Sequence, residues 1–337
     1  MREEYELEVL EKYDLEVKGT RKMRGAFFCD TNEGTMLLRE TKLSEQRALF
    51  LYQVLSRLEE QSNIKVDTPV FTSEGGILAV LPDGRRYMMK RWYSGRECDV
   101  RQEAEAVRAA GQLALLHNGL NDERIRELRG GYPEGTGAAP DPLEEIRRHN
   151  RELKKVRRFI RGRPVKNTFE YLFLESFEQM YRMAERVAER MEASGCAQLY
   201  ARSVREGRLF HGAYNYHNLL LTEEGIAVTD FDRMKTGIQV YDLYYFLRKV
   251  MEKYSWKQKT GQKLLEAYEC IRPLEQSERE YIGLMLAYPE KYWKTAGGYY
   301  HSNKAWMPEK NREKLALVLR QSEEKSAFLE QIFSVVI

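Results

Sequence analysis

The chain has 337 residues, a net charge of +3 and a composition that is 42% hydrophobic and 32% charged. These values are typical of a globular protein with a substantial core, and the length suits two lobes or two domains. The nearly balanced charge requires no polyanionic partner, and no apolar run approaches the roughly 18 residues that a membrane span needs. The acidic N-terminal segment lacks the apolar stretch of a secretory signal, and the four cysteines lie too far apart to indicate a disulfide framework or a zinc site. We therefore expect an intracellular protein with free thiols.

The first part of the chain alternates between strand-like and helix-like patterns. Strand-like runs occur at 15–17, 26–29, 35–39, 76–80 and 87–92. Turn residues at 32–34 and 82–84 separate neighbouring runs, which is typical of hairpins. Apolar residues near helical spacing predict one helix at 43–60. The sequence therefore predicts a small antiparallel sheet carrying one helix, which we assign to a lobe of residues 1–91.

Beyond Gly95 the pattern becomes mainly helical. Helical patterns occupy 101–118, about 142–160, 168–194, 240–253, 257–270, 276–288, 289–296 and 309–334. A breaker-rich loop is expected at 130–137, and short strands are expected around 219–229. We therefore predict a bilobal α+β fold in which residues 92–337 form a large, mainly helical lobe.

A motif typical of phosphoryl transfer lies in the second half of the chain. The segment HGAYNYHN, from His211 to Asn218, is followed by an Asp-Phe-Asp triplet that begins at Asp230. Kinase-type sites place an asparagine and a later aspartate at this spacing, where their oxygens bind Mg²⁺. Apolar runs on both sides of 222–225 predict a hairpin that brings Asn218 and Asp230 to the same side. We predict Asn218, Asp230 and Asp232 as metal ligands; the alternative is a polar loop beside an ordinary hairpin.

The position of the catalytic base in this motif holds Ala213. Kinase-type loops have an aspartate there, and a positioned base contributes roughly 10²- to 10⁴-fold in rate. Asn215 is uncharged at pH 7 and His217 lies on the opposite side of an alternating chain, so neither replaces the base. His211 more often braces such a loop by hydrogen bonding than it reacts. The motif therefore predicts a phosphotransferase-like site without its base, unless the loop was never catalytic.

Candidate nucleotide-binding residues lie in the predicted sheet. Arg39 occupies the strand position where a lysine would hold phosphates, and its guanidinium is wider and planar. Glu45 is a candidate ion-pair partner for Arg39, although a solvated glutamate in the first helical turn is the simpler interpretation. The loop 18–25 has two glycines and four basic residues that would contact phosphates. The last strand of the sheet, with Met89 and Arg91, would offer backbone groups to an adenine ring.

Three other features have structural interpretations. Asp242 comes ten residues after Asp232, and in kinase-like lobes a buried aspartate at this position can hold the catalytic loop by accepting its backbone N–H groups. The alternative is a simple carboxylate at the N-terminus of a helix. The basic stretch 147–166 is interpreted as the solvated face of an amphipathic helix, with an acidic partner or nucleic acid as the alternative. An aromatic cluster is expected to pack the last helices together, although a ligand-facing role for some members stays open. The cluster comprises Tyr288, Tyr292, Trp293, Tyr299, Tyr300 and Trp306.

These residues resemble the aminoglycoside phosphotransferase and choline kinase superfamily, and within it the CotS-type spore-coat proteins of endospore-forming bacteria. Besides the loop and the Asp-Phe-Asp triplet, the resemblance is carried by WYSGRECD at 92–99, YDL at 241–243, and YPEKYWK at 288–294 with the tyrosine pair at 299–300. It implies a bilobal protein-kinase-like fold, with ATP and Mg²⁺ bound between the lobes if activity persists. It also implies synthesis in the mother-cell cytoplasm during sporulation, followed by deposition among other spore-coat proteins. Ala213 and Arg39 depart from the superfamily pattern.

Three functional hypotheses follow. The leading one is a catalytically impaired, pseudokinase-like coat protein that acts through binding or assembly and retains a site for nucleotide and Mg²⁺. The alternative is an active ATP-dependent small-molecule phosphotransferase, because phosphoryl transfer depends more on positioning and charge stabilisation than on proton removal. A nucleic-acid-binding protein that uses the basic helix is the least favoured, and it would show steeply salt-dependent affinity. No membrane partner is expected.

Overall fold

A computed structural model describes residues 8–23, 25–62, 64–128, 137–301 and 309–337. The strands are β1 (Val17–Met23), β2 (Ala26–Thr31), β3 (Gly34–Glu40), β4 (Pro69–Val70), β5 (Ala79–Val80), β6 (Arg86–Arg91), β7 (Arg96–Glu97), β8 (Leu209–Phe210), β9 (Leu219–Thr222), β10 (Gly225–Val228) and β11 (Lys235–Thr236). The helices are α1 (Glu45–Ser62), α2 (Glu103–Leu120), α3 (Glu123–Arg126), α4 (Pro142–Gly162), α5 (Thr168–Ala193), α6 (Cys196–Arg205), α7 (Tyr241–Met251), α8 (Gln258–Glu269), α9 (Gln276–Ala287), α10 (Glu290–His301), α11 (Glu309–Arg320) and α12 (Ser322–Phe333). Short 3₁₀ turns occur at Tyr216–Asn218 and Phe231–Arg233.

The N-terminal part is an antiparallel sheet with the strand order β1-β2-β3-β6-β4, and β5 pairs with β6. Successive side chains in a strand point to opposite faces, so each strand contributes to two environments. On one face Cys29, Met36, Leu38 and Met89 form a closed apolar cluster. On the other face Met88 packs with residues of α1. The predicted small sheet with one helix is confirmed, although β5 is shorter than the predicted run at 76–80.

The C-terminal part is mainly helical, as predicted, but its last segment differs from the expectation. The single helix predicted at 309–334 is wrong, because α11 and α12 meet at Gln321. Leu315 of α11 is buried in the cluster formed by α4, α5 and α10. Phe328 of α12 is buried in the main core against the ring of Trp256. The two helices therefore pack into different cores on either side of the break. Most of the breaker-rich loop predicted at 130–137 lies outside the described residues.

A close backbone contact explains the segment that begins at Gly95. Strand β7 pairs with β9, which in turn pairs with β10 to complete the predicted hairpin. A Cβ atom on Gly95 would lie only 3.0 Å from the carbonyl carbon of Leu221, so glycine is required there. Arg96 then forms two hydrogen bonds to the Glu105 carboxylate, at 2.6 and 3.0 Å. This segment therefore anchors the hairpin that carries the candidate metal ligands.

The two parts of the chain are joined by direct contacts between the sheet and the hairpin. Val66 forms a parallel bridge with Val228, and the Val228 amide donates to the Lys65 carbonyl oxygen at 2.9 Å. Because β6 ends at Arg91, a lobe boundary between residues 91 and 92 remains our proposal. Among the described helices, none is both long enough and apolar enough to cross a membrane.

Candidate functional site

The loop that contains His211 is held from below by Asp242, as the sequence predicted. Asp242 is fully buried, and its carboxylate accepts the backbone N–H groups of His211 at 2.6 Å and Gly212 at 2.9 Å. The Nε2 atom of His117 lies 3.3 Å from the same carboxylate. Burial raises the pKa of Asp242 to about 6, while His211 and the two backbone amides act in the opposite direction. The loop therefore has a fixed backbone before any ligand arrives.

His211 braces the loop from within. Its Nε2 lies 2.9 Å from the Thr229 carbonyl oxygen, and its Nδ1 accepts the Ala213 N–H at 3.1 Å. These partners fit a neutral ring that carries its proton on Nε2. Burial also lowers the pKa of His211, although Asp242 opposes the shift. Both ring nitrogens are committed to backbone atoms, so His211 has no free nitrogen with which to accept a substrate proton.

Ala213 lies next to the predicted metal ligands. Its carbonyl oxygen accepts from Asn218 Nδ2 at 3.0 Å and from Asn215 Nδ2 at 2.8 Å. The residue is only 6% exposed. His217, which the sequence placed on the far side, is more exposed and pairs with Glu97 at 2.8 Å. The loop thus brings a methyl group, and no titratable side chain of its own, to the position of the predicted base.

Asn218 and Asp230 meet at one end of the hairpin. Asn218 Nδ2 lies 3.5 Å from Asp230 Oδ2, and its bond to Ala213 turns the amide oxygen away from that carbonyl. Asp230 has a positive φ of 67°, a conformation that costs roughly 1–3 kcal/mol for a non-glycine residue and is common at functional sites. Arg39 Nη1 lies 3.8 Å from Asp230 Oδ1. One amide, one carboxylate and one guanidinium therefore face the same space.

Sequence reasoning missed Lys90 and Asp67, which form a buried network with Asp232. Lys90 Nζ lies 3.0 Å from Asp67 Oδ2 and 2.7 Å from Asp232 Oδ1. Burial alone would lower the pKa of Lys90, but the attraction of the two carboxylates outweighs it and raises the pKa. The Asp67 carboxylate also accepts the Asp230 N–H at 3.0 Å. The available signal was a lysine in a strand with apolar residues, Met88 and Trp92, two positions away on either side.

The remaining predicted nucleotide-binding residues are less well placed. Glu45 is exposed in the first turn of α1 and forms no ion pair with a described residue. Met89 is fully buried, in a strand flanked by β3 on one side and β4 on the other. Its backbone therefore lies within the sheet, which corrects the expectation that it faces an adenine ring. The Arg91 N–H is also used, because it donates to the Thr68 carbonyl oxygen at 2.9 Å.

The connection after β6 and the first hairpin complete the cleft. Trp92 packs edge-to-face against Phe28 with ring centroids 5.4 Å apart. Tyr93 donates its hydroxyl towards Glu59 and the Val66 carbonyl oxygen, both at 2.9 Å. In the predicted phosphate-covering loop 18–25, Arg24 lies outside the described residues and the rest forms an exposed hairpin.

A cavity of about 540 Å³ opens beside the loop. Gly212 and Arg233 form one wall, and the aromatic residues in its lining are His149, Tyr200, Phe210, Tyr241, Tyr244, Tyr281, Tyr288 and Trp293. The His149 and Trp293 rings stack with centroids 3.5 Å apart. Two members of the predicted aromatic cluster therefore face a cavity, whereas Tyr292 and Tyr299 pack in the core. Tyr300 is partly exposed, and Trp306 lies outside the described residues.

The residues present suit one metal ion held together with nucleotide phosphates. Among the described residues, no group of three His, Cys, Asp or Glu side chains forms a metal site alone. Mg²⁺ requires only one or two protein oxygens when phosphates and water complete its shell. The amide oxygen of Asn218 and the carboxylate of Asp230 would supply such oxygens, and Arg39, whose Nη1 lies 3.8 Å from Asp230 Oδ1, would meet phosphate charge. Bound Mg²⁺ would neutralise the phosphates and orient the terminal phosphoryl group.

Three kinds of similarity agree with this geometry. The profile of the phosphotransferase enzyme family matches residues 24–274. Spore coat protein S of Bacillus subtilis (strain 168) is 22% identical over 323 residues, covering 94% of this chain and 89% of that protein. An aminoglycoside phosphotransferase from Alicyclobacillus acidocaldarius has a TM-score of 0.84 at 18% identity, covering 97% of this chain and 94% of that chain.

More distant solved structures contain nucleotides. Spectinomycin phosphotransferase, in complex with ADP and spectinomycin, has a TM-score of 0.64 at 12% identity, covering 96% of this chain and 98% of that one. An amicoumacin kinase with AMP-PNP and Ca²⁺ has a TM-score of 0.61 at 13% identity, covering 97% and 94%. Together these likenesses confirm the predicted bilobal kinase-like fold and the predicted resemblance.

Proposed function

The chain belongs to the phosphotransferase enzyme family. We propose that it is a spore-coat protein that keeps the kinase-like cleft but has lost the catalytic base. The observation that carries the proposal is Ala213. Its backbone is fixed by His211, Asn215 and Asn218, and in this proposal its methyl group takes the place of the carboxylate that an acceptor hydroxyl would need. A missing base lowers the rate by roughly 10²- to 10⁴-fold.

No carboxylate of the adjoining cavity is free to replace the base. Glu290 pairs with Arg248 at 3.2 Å and also contacts Lys294 and the Tyr244 hydroxyl. Glu145 pairs with Arg148 at 3.0 Å. These are the only acidic residues among the described cavity lining. The cleft is therefore suited to binding more than to turnover, and we assign the protein a role in coat assembly.

Phosphoryl transfer and ATP hydrolysis, measured with Mg²⁺ and with Mn²⁺, test the loss of catalysis. We expect turnover far below ordinary kinase rates of about 1–100 s⁻¹. Turnover in that range, abolished by Asp230→Ala, would reject the proposal. Ala213→Asp is the complementary variant, and it should raise any residual rate.

Nucleotide retention is tested separately, by thermal unfolding with ATP in the presence and absence of Mg²⁺. A ligand at about 100 times its Kd stabilises the folded state by roughly 2.7 kcal/mol. We expect a rise in Tm that depends on Mg²⁺ and is lost in Asp230→Ala. If the wild-type chain shows no shift, the cleft has lost nucleotide binding as well as its base.

Coat deposition is tested in a sporulating, endospore-forming host. We propose that the chain is made in the mother cell and assembles on the spore with other coat proteins, since its relative is a spore coat protein. A fluorescent fusion should move from diffuse mother-cell signal to a ring around the forespore. Asp230→Ala should assemble normally if the role is structural, and a fusion that stays diffuse in every strain would contradict the assignment.

The second candidate is an active small-molecule phosphotransferase, and the cavity of about 540 Å³ beside Gly212 favours it. Arg233 and Lys235 line the cavity and form no ion pair with any described residue, while both lining glutamates are paired. Polycationic acceptors would be repelled, so neutral or anionic alcohols are the acceptors to assay. ATP-dependent phosphorylation of a sugar acid, weakened by Arg233→Ala, would support this function over the first.

A further inference from the structure

The buried ammonium of Lys90 lies between two carboxylates that come from different parts of the chain. The Lys90 side chain is 7% exposed, and the Asp67 side chain is 1% exposed. Nζ is 3.0 Å from Asp67 Oδ2 and 2.7 Å from Asp232 Oδ1. The other oxygen of Asp67, Oδ1, is buried and has no hydrogen-bond partner among the described residues. Two carboxylates thus converge on a single positive charge, and one oxygen of the Asp67 carboxylate stays without a hydrogen-bond partner among the described residues.

This arrangement has the composition of a cation site whose occupant is a side chain. Buried carboxylates require a compensating charge, because an isolated ion in the interior is very unfavourable. Proteins supply that charge either with a basic side chain or with a divalent cation that has oxygen ligands at about 2.0–2.6 Å. Here the compensating charge is the ammonium group of Lys90, which belongs to β6 and lies at hydrogen-bond distance from both carboxylates. The Asp67 carboxylate also accepts the Asp230 N–H at 3.0 Å, so the same network fixes the residue predicted to hold the functional metal.

We propose that the Lys90 ammonium takes the place of a second divalent cation in this cleft. Asp232 is then committed to Lys90 and does not bind metal, contrary to the sequence-based prediction. Asn218 and Asp230 then remain as the protein ligands for any metal that binds with nucleotide phosphates. The role of Lys90 is positional, since it holds Asp67 and Asp232 and through them the backbone at Asp230. This inference concerns the protein without bound nucleotide, and it does not depend on whether nucleotide binding or activity is retained.

The test converts the ammonium site into a metal site. Lys90→Ala removes the charge and leaves space between the Asp67 and Asp232 carboxylates. We expect this variant to melt below the wild-type chain in EDTA and to be restored in part by Ca²⁺ or Mn²⁺. At a concentration about ten times the Kd, the rise in Tm should be roughly 2 °C. The wild-type chain under the same ions sets the baseline, which includes any weak binding at Asn218 and Asp230.

Two controls separate a created site from a general salt effect. Lys90→Ala combined with Asp232→Asn removes one of the two carboxylates and should abolish the recovery by divalent ions. Lys65→Ala also removes a lysine that pairs with a carboxylate, that of Glu224, between the same two parts of the chain. That pair is exposed and involves one carboxylate, so Lys65→Ala should show no response beyond the wild-type baseline.

The outcomes decide the question in either direction. A divalent-specific rise in Tm that requires both Lys90→Ala and an intact Asp232 supports the proposal. If Lys90→Ala melts at the same temperature in EDTA and in Ca²⁺ or Mn²⁺, the proposal is wrong. Should Lys90→Ala fail to fold without ions, expression with added Ca²⁺ is the measurement, and recovery of soluble protein supports the proposal. If it is insoluble in both conditions, Lys90→Gln is melted in the same buffers, and no ion response there refutes the proposal.

Discussion

Gly212 is the position at which a single methyl group should most disturb the candidate site. Its φ is +79°, and a Cβ atom there would lie 3.0 Å from the carbonyl carbon of Arg233 and closer still to the oxygen. Gly84 provides a matched control, because its φ is +85° and a Cβ atom would meet nothing within 4 Å. The two alanine substitutions therefore share the backbone strain and differ in the clash.

The magnitude follows from these contacts. A left-handed non-glycine residue costs roughly 1–2 kcal/mol, which is the whole effect expected for Gly84→Ala. At Gly212 the clash is with backbone, so the loop must move and weaken the bonds from His211 and Gly212 to Asp242. Hydrogen bonds to a charged group contribute about 1.5–3 kcal/mol. We therefore expect Gly212→Ala to lower the free energy of unfolding by about 3–5 kcal/mol.

Urea unfolding of the wild-type chain and the two variants measures this difference. A shift in the midpoint at constant slope reports a change in stability, since the slope tracks the surface exposed on unfolding. Gly212→Ala should also reduce any Mg–ATP-dependent rise in Tm, because the displaced loop carries Asn218. If the two variants are destabilised equally, the predicted close approach of the loop to Arg233 is not present in solution.

The other predictions concern the charges and aromatic groups around the site. Asp242→Asn should lower the free energy of unfolding by about 3 kcal/mol, because an amide N–H₂ would face backbone donors; a loss below about 1 kcal/mol in urea would contradict the bracing role. Burial lowers the pKa of His149 to about 4, so the unfolded chain binds more protons and stability falls as the pH drops from about 6.5 towards 4. His149→Phe should remove about 1 kcal/mol of the stability lost between pH 7 and pH 5, a value reduced because the ring is partly exposed to solvent, and identical pH slopes in thermal melts would refute this. Arg39→Ala should reduce the Mg–ATP-dependent rise in Tm more than Glu45→Ala does, since only Arg39 faces Asp230; equal effects would argue against a phosphate contact.

Sequence reasoning succeeded where the geometry is local. The hairpin β9–β10 fixes the separation of Asn218 and Asp230, so their spacing in the sequence was sufficient to place them together. Asp242 was predicted from the pattern of kinase-like lobes, and it lies in the first turn of α7, where it accepts backbone N–H groups of the loop. The bracing role of His211 also depends on near neighbours and was anticipated.

The sequence was insufficient where strands or helices meet at long range. Lys90 contacts Asp232 across 142 positions, and no pattern in either segment specifies that meeting. Met89 was misjudged because β4, which covers that edge of the sheet, is only Pro69–Val70. The break at Gln321 was missed because both halves of 309–334 have helical periodicity, and only the positions of two separate cores require the turn.

The structure separates the stability of the loop from its chemistry. Asp242 and His211 hold the loop backbone whatever side chain occupies position 213. Since Ala213 is 6% exposed, a carboxylate there would lose hydration, at a cost of about 1–3 kcal/mol without a partner. Ala213→Asp should therefore lower the free energy of unfolding measured in urea and raise the rate of any phosphoryl transfer. Such a trade-off is expected when function requires a group that is unfavourable for stability. If the substitution changes neither quantity, the methyl group of Ala213 does not face the cleft. The absence of a carboxylate at position 213 then cannot explain low turnover.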